Sequence, residues 1–147
     1  MSGSTIIYGH NAAQAPVAGL SEAVVTTFNA LLVDPSGRPL SRFNSAGDAT
    51  SIVVKASEGL LDQILVFNAN PIGPPGDLFL HIFDLAALPA NGTVPDFTSV
   101  PIRPQGSQGI SFDPGLPMAT GIVLAASTTR TTLTLAGAVM WFAGRFN

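Results

Sequence analysis

The chain has 147 residues, 46% of them apolar and only 10% charged, with 15 glycines, 12 prolines, no cysteine and a formal net charge of −3. That length suits one domain, the glycine and proline content excludes a helical bundle, and the missing cysteines exclude a disulfide framework, a thiolate nucleophile and a zinc–thiolate site. The basic residues Arg38, Arg42, Lys55, Arg103, Arg130 and Arg145 are scattered, so no stripe neutralises phosphates and nucleic acid is excluded as a partner.

Residues 1–19 read as an extended N-terminal arm, rich in Gly, Ala and Ser, in which Ile6-Ile7-Tyr8 is the one apolar knot. Fixing each backbone residue costs ~1–2 kcal/mol, so an ordered arm needs a surface to lie on. Ile6, Ile7 and Tyr8 are its candidate anchor. No basic segment followed by an apolar block marks a signal peptide here. Residues 20–147 read as the folded domain.

Within residues 20–33, Leu20, Val24, Phe28 and Leu31 fit helical spacing, while the β-branched run from Val24 to Thr27 favours a strand over 24–33. Asp34-Pro35-Ser36-Gly37 is a turn. From Thr50 onward strands are expected at 51–56, 60–69, 77–85, around 110–113, and at 119–126, 131–135 and 138–146. The 60–69 and 77–85 runs are apolar at successive positions, which predicts strands covered on both faces. Around Ile110 and Phe112 the alternation with Ser111 and Asp113 predicts a half-buried strand. Three prolines between residues 70 and 76 stop both flanking strands.

About eight short antiparallel strands with turn signals between them predict an all-β single sandwich. Connections of seven or more residues suit strands that cross between two sheets, so a jelly roll is expected before an immunoglobulin-like sandwich. No run of ~18 apolar residues crosses a membrane as a helix. The scarcity of charge has two readings: a neutral β-domain of extracellular type, or an exterior buried against copies of itself or a partner, since interface cores are depleted of charge.

Few residues are placed for chemistry. His81, flanked by Leu80 and Ile82, reads as a buried structural histidine before a base or ligand, and His10 has no partner in sequence. Two histidines without HxH or HExxH spacing give no metal motif, and no cofactor pattern is present. Gly106-Ser107-Gln108-Gly109 is not a nucleophile elbow. Nine acids leave a glycosidase-type carboxylate pair open, without a recognisable context for one. Asn91-Gly92-Thr93 matches a glycosylation acceptor, yet Asn-Gly is also a turn former, and the turn is expected. Trp141, with Met140, Phe142 and Phe146, could stack on a sugar; its place in an apolar C-terminal segment predicts core packing instead. Exposure of Trp141 therefore separates a structural role from sugar binding.

The phrases Leu88-Pro89-Ala90-Asn91-Gly92-Thr93-Val94-Pro95, Pro101-Ile102, Ser111-Phe112 and Gly115-Leu116-Pro117-Met118-Ala119-Thr120-Gly121-Ile122-Val123-Leu124-Ala125 resemble small all-β structural proteins of tailed bacteriophages, such as capsid decoration (cement) and head-fibre proteins. The resemblance covers roughly residues 50–147 and consists of turn and strand phrases. It implies a non-enzymatic virion protein that oligomerises, as a homotrimer, and binds the major capsid protein or another virion component. It carries over no catalytic residue, metal or cofactor. The alternative is a carbohydrate-binding or adhesion module of a phage appendage; a glycan-cleaving β-domain is a third reading.

Overall fold

Eight antiparallel strands build the domain: β1 (Ser41–Asn44), β2 (Ser51–Lys55), β3 (Gly59–Asn68), β4 (Leu78–Phe83), β5 (Val100–Ile102), β6 (Ser107–Met118), β7 (Ile122–Ser127) and β8 (Met140–Phe146). The structure is a computed structural model and describes residues 39–71, 76–97 and 99–147. The arm of residues 1–19, its anchor Ile6-Ile7-Tyr8 and the strand expected over 24–33 lie outside the described residues.

One sheet has the order β1-β8-β3-β6 and the other β2-β7-β4-β5. Strand β1 pairs with β8, β2 with β7, β3 with β6 and β4 with β5, all antiparallel. This is the pairing of one long hairpin rolled up, with β4 and β5 at its closed end, and it makes the fold a jelly roll. Of the two long connections seen in the sequence, the one between β3 and β4 passes to the opposite sheet as expected, whereas the longer one over 86–97 joins β4 to its own neighbour β5 within one sheet.

The core lies between the sheets. Leu61, Ile64, Val66 and Phe142 from one sheet meet Leu78, Leu80, Ile82, Ile122 and Leu124 from the other. Each such side chain contributes ~1.5–3 kcal/mol by leaving water. Close approach is enforced at Gly144, where an added Cβ would strike the Gln63 carbonyl oxygen and the Phe43 ring.

Both faces of β4 are covered, as its apolar run predicts: Leu78, Leu80 and Ile82 enter the core, while Phe83 is buried on the outside against Val123, Ala125 and Leu133. Strand β3 differs from the expectation. Its inward residues are Leu61, Ile64 and Val66, and Leu65 on the other face is 42% exposed. The register against both neighbours shifts between Leu61 and Gln63. A bulge there adds one residue and resets the alternation, so a run that looks apolar on two sides is a one-sided strand with an irregularity.

Strand β6 keeps the expected half-buried alternation around Ile110 and Phe112 and runs on past Pro114 and Pro117, with its register against β3 interrupted between Ser111 and Leu116, an irregularity that an edge strand tolerates. Strands β1 and β5 carry too little pattern to be anticipated: β1 has one buried apolar residue, Phe43, and β5 is three residues with Pro101 at its centre. The strand expected at 131–135 is absent. That segment folds back over the outer face of the second sheet, touching it through one isolated bridge, Ser127 to Leu135. Its threonines and Ser127 satisfy the backbone through side-chain bonds instead: Ser127 Oγ accepts from Thr129 N and Thr134 N and donates to the Thr132 carbonyl.

Candidate functional site

The outer face of the β1-β8-β3-β6 sheet carries the most varied chemistry among the described residues. Alternation along β8 sends Met140 and Phe142 into the core and turns Trp141, Ala143 and Arg145 outward. Across the ladders, Trp141 stands opposite Phe67, Ala143 opposite Leu65 and Arg145 opposite Gln63. Strand β1 adds Arg42 opposite Arg145 and Asn44 opposite Ala143. An open groove of about 590 Å³ runs over this face, lined by Arg42, Asn44, Gln63, Leu65, Trp141 and Arg145 among others. No carboxylate is present among the described residues that line it.

Core packing, expected for the whole C-terminal cluster, holds for Met140, Phe142 and Phe146 and fails for Trp141. The indole is half-buried and faces the groove. Its position follows from strand parity: with Met140 and Phe142 both inward, the residue between them must point out. The guanidinium of Arg145 is held in place, since Nε and Nη2 both donate to Gln63 Oε1, at 3.0 and 2.6 Å. The Arg42 side chain is exposed and has no hydrogen-bond partner among the described residues.

The other candidates have structural work. His81 is fully buried on the outer side of β4, beneath the 128–136 segment. Its Nε2–H donates to the Arg130 carbonyl at 3.2 Å, its ring meets Phe83 edge-on, and Nδ1 has no partner. Burial holds its pKa below the ordinary imidazole value. No other histidine and no carboxylate joins it in a metal-binding group among the described residues. The buried structural histidine expected from sequence is what the fold contains.

Asp84, which sequence reading did not single out, clasps the turn between β6 and β7. Its carboxylate accepts N–H bonds from Ala119, Thr120 and Gly121 at 2.9, 2.6 and 3.1 Å. These bonds, that of Thr120 foremost, hold its pKa below the usual carboxylate value. Gly121 is required there, because a Cβ would run into the Leu85 carbonyl and Ala86. A broader hollow of about 800 Å³ beside Asp84, reaching Lys55 and Glu58, has this engaged carboxylate in its wall. The Met118-Ala119-Thr120-Gly121 phrase is thus a structural clasp.

Asn91-Gly92 forms the expected turn, with Gly92 at φ +94°. The Asn91 side chain accepts from Leu135 N, and Gly92 N donates to the Leu133 carbonyl, which ties this turn to the covering segment. Asn68, buried at the end of β3, donates to the Ile102 carbonyl and so links the two sheets. The signal that could have found it is an asparagine at an inward position of an apolar strand. Ser107 begins β6 beside a turn that bonds Gly106 N to the Arg103 carbonyl and carries the chain from β5 in one sheet to β6 in the other, a strand-to-strand turn rather than a nucleophile elbow.

Compared with protein-family models, curated proteins and solved structures, the chain has no match. Its fold is therefore established by its own strand pairing.

Proposed function

We propose that this protein is a non-enzymatic structural component of a virion, a decoration protein of a tailed-bacteriophage capsid that forms trimers and binds the major capsid protein. The observation that supports this reading is the rolled pairing of all eight strands, an architecture used by viral capsid domains as well as lectins. The resemblance of its turn and strand phrases to phage structural proteins and the low charge of the chain agree with it. The anchor assigned to it is Ile6, Ile7 and Tyr8, which lie outside the described residues.

Native mass spectrometry of the protein purified with whatever binds it tests the proposal. A trimeric mass accompanied by a capsid subunit is the expected result. A monomer at micromolar concentration, with no virion protein attached, counts against it. Deleting residues 2–19 should leave the melting temperature of the body nearly unchanged while weakening capsid binding.

One observation favours a second reading, a carbohydrate-binding module of a phage appendage. Trp141 faces an open groove instead of the core, and an aromatic face flanked by amide and guanidinium groups suits a sugar ring. This reading is the alternative to capsid decoration, and the half-buried Trp141 in the groove is the observation on its side.

A further inference from the structure

We infer that the groove on the β1-β8-β3-β6 sheet binds an acidic oligosaccharide, its carboxylate held by Arg42 and Arg145 and a neighbouring ring stacked on Trp141. The inference rests on the carbohydrate-binding reading and specifies its ligand class.

The first ground is electrostatic. Arg42 and Arg145 are direct partners across the β1–β8 ladder. Like charges directly opposite one another destabilise a sheet, and no acid among the described lining residues relieves them. A chain with a net charge of −3 and only six basic residues has placed two of the six side by side on one open face. A bound carboxylate removes the repulsion and gains charge-assisted hydrogen bonds. Gln63 prepares one of the two arginines, because accepting from both Nε and Nη2 sets the plane of the Arg145 guanidinium before any ligand arrives. Two of its five N–H groups are engaged in this way, and the others remain for an anion.

The second ground is the length and texture of the face. Trp141 and Arg145 lie four residues apart on the same side of β8, a separation of ~13 Å at ~3.3 Å per residue. That exceeds one pyranose ring, so the site spans a chain of sugars rather than a monosaccharide. Between the two ends the face is low: Ala143 lies on β8, with Leu65 beside it and Gly109 beyond on β6. A flat ligand can lie there, with Asn44 across from Ala143 at the margin to meet its hydroxyls. A second copy of this chain fits less well, because a two-fold contact through this patch would bring one arginine pair against another.

Trp141 is the one tryptophan of the chain, so intrinsic fluorescence reads this site alone. The full-length protein is titrated with short oligomers of galacturonate, of alginate and of sialic acid, with a neutral galacto-oligosaccharide of matching length, and with monomeric galacturonate. At least one acidic oligomer should quench or shift the emission saturably, more tightly than its monomer and than the neutral chain. Arg42→Gln and Arg145→Gln should each weaken that binding about tenfold, with circular dichroism unchanged, and added salt should weaken it in the wild type. Calorimetry replaces fluorescence for Trp141→Ala, which should lose binding while keeping its fold. If the neutral oligomer binds as tightly and the arginine variants are indifferent, the acidic specificity is overturned and the carbohydrate reading stands. If no oligomer binds by either method, both are overturned. The trimer and capsid measurements decide the virion reading independently.

Discussion

The two outer faces of this sandwich have been treated in opposite ways. Over the β2-β7-β4-β5 sheet the chain folds its own segments: Leu133 and Leu135 cover Phe83, Val123 and Ala125, and the 90–93 turn locks Leu133 through two backbone bonds. Over the β1-β8-β3-β6 sheet the described residues leave an open groove with Trp141, Leu65 and two arginines in its walls. Strand geometry is alike in both sheets, so the difference lies in the connections. One face is completed by the chain for stability. Among the described residues, the other is left with an aromatic and paired charges in an open groove.

The largest expected effect is on the covered face. Phe83→Ala should cost ~3–5 kcal/mol, the usual range for a buried phenylalanine, measured by denaturant unfolding. Leu133→Ala strips the cover from the same cluster and should cost ~2–5 kcal/mol. A near-neutral result for both would mean that the 128–136 segment does not close this face, and the contrast between faces would fail.

A pH series sharpens the comparison, because His81 lies under the cover. Its folded pKa is depressed by burial, so the unfolded chain binds the proton more readily. The resulting stability is fully present above the ordinary imidazole pKa of ~6.5 and is lost as pH falls from there through the lower folded value. His81→Phe should flatten the melting temperature across that window. Asp84 acts in a more acidic one: its depressed carboxylate pKa contributes stability above ~3.9, lost as pH falls through its folded value. Asp84→Asn, which still accepts hydrogen bonds but carries no charge, should lower the melting temperature at neutral pH and reduce its acid sensitivity.

The smallest effect on stability is expected on the open face. Leu65→Ser, at a position 42% exposed, should change unfolding free energy by no more than about 0.5 kcal/mol. A larger loss would show that this face is covered in solution after all.

Much of the fold was legible from local pattern. The Leu78–Phe83 run, the Ile110–Phe112 alternation and the C-terminal strand are each plain in the local pattern, and the proline-bearing connection between β3 and β4 does change sheets, while the one over 86–97 stays within a sheet. Strands β1 and β5 were not legible, because four and three residues with one or two apolar side chains carry no period. The threonines at 131–134 have strand propensity, yet tertiary contacts with Ser127 and the 90–93 turn used them otherwise. Of the candidate site, Trp141 stands out in the sequence, but its apolar neighbours Met140 and Phe142 point it to the core. Arg42, Gln63 and Arg145 were not connected, since they come from three strands far apart in the chain.

Alternation and turn residues act over a few neighbours, and they suffice for an all-β class, for most strand positions and for a sandwich. Which side of each strand faces inward, and which sheet is left open, required the folded molecule. A single bulge near Asp62 reverses every side chain beyond it, and the β1–β8 ladder joins Arg42 to Arg145 across more than a hundred residues of chain. Both depend on long-range register, which no local window of sequence contains.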